Sequence, residues 1–112
     1  MVSSVKLIEG TKLTAAPALY YTAPAATQTI VKKITVVNID PTNAHAVTIW
    51  FVASGGTAVS SQLLVDARPI GPLATYDVTE AQNHVLAPGD TIWAEADDAT
   101  NLQIQASGVQ IV

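Results

Sequence analysis

The chain has 112 residues, 49% of them hydrophobic, 12% charged and 5% aromatic, with no cysteine; this describes one small globular domain and excludes a disordered chain, which pairs low hydrophobicity with high net charge. Nine Asp and Glu against five Lys and Arg give a net charge of −4, which argues against a nucleic-acid partner, because phosphate binding draws its affinity from clustered cations. Without cysteine there is no disulfide scaffold, thiol nucleophile or Cys-type zinc site, and no apolar run approaches the roughly 20 residues that span a bilayer, so no membrane partner is expected.

Val, Ile and Thr make up 35 residues, and β-branched side chains suit a pleated surface better than a helix. The opening Met1 to Ile8 lacks a basic head followed by a long apolar stretch, so no signal peptide is expected. Val5 to Ile8 fits a strand, after which residues 10–27 are rich in Ala, Thr and Pro, with Leu19-Tyr20-Tyr21 as their one concentrated apolar stretch. Residues 1–27 therefore read as an extended N-terminal arm plus a first strand. The arm lies either on a neighbouring molecule or on its own domain.

Gln28 to Ile39 reads as a long strand with apolar residues on both faces of the Lys32-Lys33 pair, ended by the turn formers Asp40-Pro41-Thr42-Asn43. Ala46 to Ala53 puts Val47, Ile49 and Phe51 on one face and Thr48, Trp50 and Val52 on the other, and the two strands read as a hairpin. After a turn at Ser54-Gly55-Gly56-Thr57 comes a short strand, Gln62 to Ala67, broken by Pro69 and Pro72. Thr75 to Thr79 alternates, residues 80–83 read as a connection of about one helical turn, and Ala87-Pro88-Gly89-Asp90 has type II character. Thr91 to Asp97 sends Ile92, Ala94 and Ala96 inward and Trp93, Glu95 and Asp97 outward. In the last strand Leu102, Ile104 and Ala106 face inward; beyond Gly108 the apolar residues Val109 and Ile111 fall on the opposite parity, which predicts a β-bulge at Ser107-Gly108. Seven to eight short strands without helical crossovers predict an all-β domain, an antiparallel β-sandwich or a jelly-roll-like barrel, spanning residues 1–112.

Catalytic material is sparse. His45 sits in a turn and reads as a solvated loop residue, and His84 fits a surface polar contact with Glu80; neither has the context of a triad or a metal site. Asp97 and Asp98 lack the ligand spacing of a calcium loop and read as turn carboxylates that cap amides. No catalytic, cofactor-binding or metal residue is expected, and no enzyme. Trp50 and Trp93, both opposite the main apolar face, fit a second packed layer, a subunit contact or a sugar-stacking surface, and Tyr20 and Tyr21 divide between anchoring the arm and filling the core. Leu7, Ile8, Tyr20, Tyr21, Trp50 and Trp93 are the candidate contacts with a subunit or partner.

The segments Leu19 to Ala25, Ile30 to Val36, Pro88 to Ala94 and Ser107 to Ile111 together resemble small virion proteins of tailed bacteriophages. These are short β-sandwich proteins described as head decoration, spike-base or tail-associated proteins. The resemblance covers nearly the whole chain in order and rests on strand and turn patterns. It implies a structural virion protein, foremost a capsid decoration (cement) or minor capsid protein that binds and stabilises the head shell. It further implies location in the virion after assembly in the bacterial host cytoplasm, and a partner that is the major capsid protein or another virion protein. A homo-oligomer is expected, with a trimer favoured because threefold junctions are frequent in such shells. A tail- or fibre-base protein and a non-catalytic carbohydrate-binding or adhesin module are the alternatives.

Overall fold

A computed structural model describes residues 2–55, 63–97 and 101–112, apart from the side chain of Glu80. Nine strands follow one another: β1 (Val2–Lys12), β2 (Ala18–Thr22), β3 (Gln28–Asn38), β4 (His45–Val52), β5 (Leu63–Ile70), β6 (Thr75–Asp77), β7 (His84–Leu86), β8 (Thr91–Ala96) and β9 (Leu102–Ile111). A 3-10 turn over Thr79–Ala81 separates β6 from β7. The first sheet runs β1-β9-β3-β6, with β7 also paired to β3; the second runs β2-β8-β4-β5. Every pairing is antiparallel, and the two sheets pack as a sandwich.

The core follows from alternation. Ile92, Ala94 and Ala96 of β8 stand opposite Phe51, Ile49 and Val47 of β4, and directly opposed residues share a face. From the other sheet come Ile34 and Val36 of β3 with Leu102 and Ile104 of β9, all fully buried. The Ala87–Asp90 turn is as expected: Gly89 has φ 88° and Asp90 N donates to Ala87 O, the positive φ of a type II turn that a glycine adopts without strain.

Five expectations are corrected. There are nine strands among the described residues, not seven to eight. Of the two placements open to the N-terminal segment, the described residues take the one on the chain's own domain, as paired strands and not as an extended arm: β1 is an edge strand of the first sheet and β2 an edge strand of the second, so residues 2–22 complete the chain's own sandwich. β3 and β4 form no hairpin, because β3 is flanked by β9, β6 and β7 while β4 is flanked by β8 and β5; the connection crosses between layers. Pro69 does not end β5 but pairs with Ala46 inside it, which is tolerated because β5 is an edge whose missing N–H faces no neighbour. There the extra residue Ala67, at φ 47°, donates its N–H to Thr48 Oγ1 at 3.1 Å.

The fifth correction concerns the bulge. The extra residues lie on the strands beside β9: Val31 and Lys33 of β3 oppose Gly108 and Ser107, leaving Lys32 over, and Lys6 and Ile8 of β1 oppose Ser107 and Ala106, leaving Leu7 over. β9 itself keeps one parity to its end. Gln110 therefore points inward, where its Nε2 donates to Tyr21 Oη at 2.8 Å, and Tyr21 Oη lies 2.8 Å from Thr29 Oγ1. Val109 and Ile111 point outward. Gly108 serves close approach instead of a bulge, since a Cβ there would overlap the Ile30 carbonyl oxygen. Register shifts also interrupt β1 a second time between Ile8 and Thr11, and β2 between Leu19 and Tyr21.

Candidate functional site

Three of the six candidate contact residues, Leu7, Ile8 and Trp50, are buried. Leu7 and Ile8 are buried side by side, because the bulge at Leu7 turns both consecutive side chains into the core. Tyr21 points inward to Thr29 and Gln110, and Tyr20 packs half-buried against the core.

The two tryptophans meet. Trp50 and Trp93 are direct cross-strand partners on the outer face of the second sheet, in a row that continues to Leu19 on β2 and Leu63 on β5. Trp50 is buried, Trp93 half-buried, and Leu19 is 49% exposed. The Trp93 indole N–H donates to Thr91 Oγ1 at 3.0 Å, and that hydroxyl donates to Val52 O, so the ring's polar edge is satisfied within the sheet. Leu19, absent from the sequence-based candidates, is the exposed end of the row. Its place in the Leu19-Tyr20-Tyr21 run concealed it, because the register shift between Leu19 and Tyr21 puts on opposite faces two residues that simple alternation assigns to one.

The outer face of the first sheet is more exposed. Ile30, Val109 and Val85 form one row across β3, β9 and β7, and Val2 pairs with Ile111 in the next. Val2 and Val85 are 66% and 57% exposed. Along the same face Lys6 and Lys33 both stand opposite Ser107, and an open groove runs between Lys6, Lys32, Ser107 and Val109. Sequence reading placed Val109 and Ile111 in the core and so missed this surface.

At the opposite end of the sandwich His45 ties the layers together. It is buried, and not the solvated loop residue expected: Nε2 lies 2.8 Å from Asp40 Oδ2 and Nδ1 lies 2.9 Å from Asp97 Oδ1. Two carboxylate acceptors on both ring nitrogens are satisfied together only by an imidazolium. The bond to Asp40 raises the His45 pKa, with desolvation opposing and Asp97 adding to the rise. The same bond, helped by the Thr42 and Asn43 amides, holds Asp40 well below the usual carboxylate range. Because both ring nitrogens are occupied, the imidazole offers no lone pair to a substrate or metal, and the described residues contain no group of three or more acidic or histidine side chains placed to hold one. Asp97 thus serves this corner, while Asp98 lies outside the described residues. Asp90 is the turn carboxylate expected, accepting from Ala87 N and Ser54 N. The His84 and Phe51 rings meet edge to face with centroids 5.2 Å apart, and the Glu80 side chain expected beside His84 lies outside the described residues.

The corner makes stability depend on pH. His45, with its pKa raised on folding from 6.5, contributes fully below pH 6.5, and that contribution is lost as pH rises through the folded value. Asp40, depressed on folding from 3.8, contributes fully above pH 3.8 and loses its contribution as pH falls through its low folded value. Thermal unfolding midpoints measured from pH 5 to 9 should therefore decline above pH 6.5 in the wild type, and His45→Asn should lower the midpoint at pH 6 and remove that decline. An equal decline in both proteins would show that the corner does not titrate this way.

No protein-family model matches the chain, and no curated protein matches it. Among solved structures, a chain in the structure of infectious bursal disease virus, Gx strain, is similar over 98% of this chain and 30% of that one, with 10% identity and a TM-score of 0.50. The likeness is one of fold. It places this sandwich beside a viral chain more than three times as long in extent as the part matched.

Proposed function

We propose that the protein is a structural component of a virus particle, most specifically a decoration or minor capsid protein that binds the head shell of a tailed bacteriophage and acts without catalysis. The observation that carries the reading is the fold likeness, over 98% of the chain, to a chain of a virus structure. It is supported by the resemblance of the Leu19 to Ala25 and Pro88 to Ala94 segments to small phage virion proteins, and by an outward apolar surface on a sandwich whose one buried histidine is consumed structurally. A role in a shell asks for contact surface and rigidity, and many weak contacts on linked copies hold firmly.

The test is the copy number of this chain per purified virion, measured by quantitative mass spectrometry against the major shell protein. A ratio of order one, or a simple fraction of it, is expected. A ratio lower by one or two orders of magnitude moves the protein to the tail or a fibre base, and absence from the particle overturns the reading and leaves a free binding module.

A further inference from the structure

Resting on the virion reading, we propose that the outer face of the first sheet is the docking surface, and that its occupant is a surface of another virion protein that sets carboxylates beside apolar side chains. The argument begins with charge. The chain is acidic overall, yet Lys6 and Lys12 of β1 and Lys32 and Lys33 of β3 are four of its five cations. The strands of that sheet carry only Glu9 and Asp77 against them, while the sequence outside that sheet has one cation, Arg68, against seven carboxylates. One face of an acidic molecule is thus positive.

These charges are available. Lys33 lies 3.7 Å from Asp77 in a contact exposed on both sides, the kind that water screens. Lys32 Nζ donates to Asn83 Oδ1 at 3.3 Å, a neutral acceptor that leaves the charge unbalanced. The Lys6 side chain has no hydrogen bond or ion pair among the described residues.

Beside the lysines lies the apolar row of Ile30, Val85 and Val109. Apolar centres flanked by charge are the usual composition of protein contacts, with the charge setting partner and orientation. A bare phosphate backbone would use the lysines and leave the valines in water. A second copy is a poor fit as well, because apart from Glu9 and Asp77 the chain's own carboxylates lie outside this sheet. Copies joined front to back would make a heterologous contact, which runs on as an open filament unless its rotation happens to close a ring.

The experiment is rebinding of the purified full chain to purified particles from which it has been depleted. Wild type should bind, more weakly as salt rises. The double variant Lys6→Glu, Lys32→Glu and the single variant Val85→Glu should each bind at least 100-fold more weakly while unfolding at the wild-type temperature, as the exposure of all three positions allows. Glu95→Lys, on the outer face of the second sheet, should bind as wild type. Wild-type binding that both first-sheet variants retain overturns this inference and leaves the virion reading intact, as does loss of binding in Glu95→Lys alone. A wild-type dimer or stack in sedimentation velocity that the lysine variant abolishes makes the occupant a second copy and likewise overturns it. Failure of the wild type to bind, together with its absence from intact particles, overturns the virion reading and this inference with it.

Discussion

Gly108→Ala is expected to lower stability by about 3 kcal/mol or more, at the upper end of the overpacking range, and to move the thermal midpoint down by more than about 10 °C. Gly108 lies in β9, the strand flanked by β1 and β3. Its position faces the core at the point where the bulges at Lys32 and Leu7 draw both neighbours close. An added methyl would overlap the Ile30 carbonyl oxygen and stand 2.9 Å from Leu7 Cδ1. The leucine tip has some freedom to swing aside. The carbonyl has little, because it belongs to the β3 backbone in a sheet paired on both sides, so relief requires shifting a strand. A urea or thermal melt of Gly108→Ala within about 1 kcal/mol of wild type would show that the close approach is softer than the geometry implies. Gly55, whose Cβ would meet nothing within 4 Å but whose φ is 80°, is the comparison: strain there is local, and the loss should be near 1 kcal/mol.

Asn38→Ala is the second large effect, expected at about 3 kcal/mol. The side chain is fully buried at the end of β3 and performs three bonds at once, donating to Ile70 O and Asn43 O and accepting from Asp40 N. Truncation leaves those three backbone groups without their partners, and a buried orphan group costs about 1–3 kcal/mol each, with partial relief where water reaches. It also loosens Asp40, and through it His45, so the pH dependence of stability should flatten as it does in His45→Asn. Asn38→Asp separates geometry from packing: it keeps the volume but aims a carboxylate at two carbonyl oxygens, and should be at least as unstable as the alanine variant. A urea midpoint for Asn38→Ala equal to that of wild type would mean that the β3 to β4 crossing is held by other contacts.

The parts of this fold that could be read from the sequence are those where one strand decides its own geometry. β8 is legible because Ile92, Ala94 and Ala96 alternate strictly with Trp93 and Glu95, and the Pro88-Gly89 turn because few other dipeptides suit its angles. Pairing is not local, so the β3 to β4 link looked like a hairpin while each strand in fact joined partners distant in sequence. The end of β9 misled for a different reason. Val109 and Ile111 have the composition of core residues and Gln110 that of a surface residue, but Gln110, Tyr21 and Thr29 satisfy one another inside the sandwich and leave the apolar pair outside. Leu7 and Ile8 are another case: strict alternation sends adjacent residues of an edge strand to opposite faces, and a bulge visible only in the pairing of β1 with β9 turns both into the core. His45 was illegible because Asp97 is brought to it from 52 positions away, although Asp40, five residues before it, was already a hint. Positive charge on one face was concealed by counting charge over the whole chain.

The interrupted registers of β1, β2 and β5 bear on how the protein behaves when concentrated. Cross-β growth needs a long, regular, unpaired edge on which another chain can template. Here β1 is broken twice, β2 once within five residues, and β5 carries both irregular register and Pro69, while β6 and β7 are three residues each. None of these borders offers more than a few regular rungs. A concentrated solution of this chain is therefore expected to stay free of fibrils and of thioflavin-binding aggregates, because its sheets end in borders that another chain cannot extend.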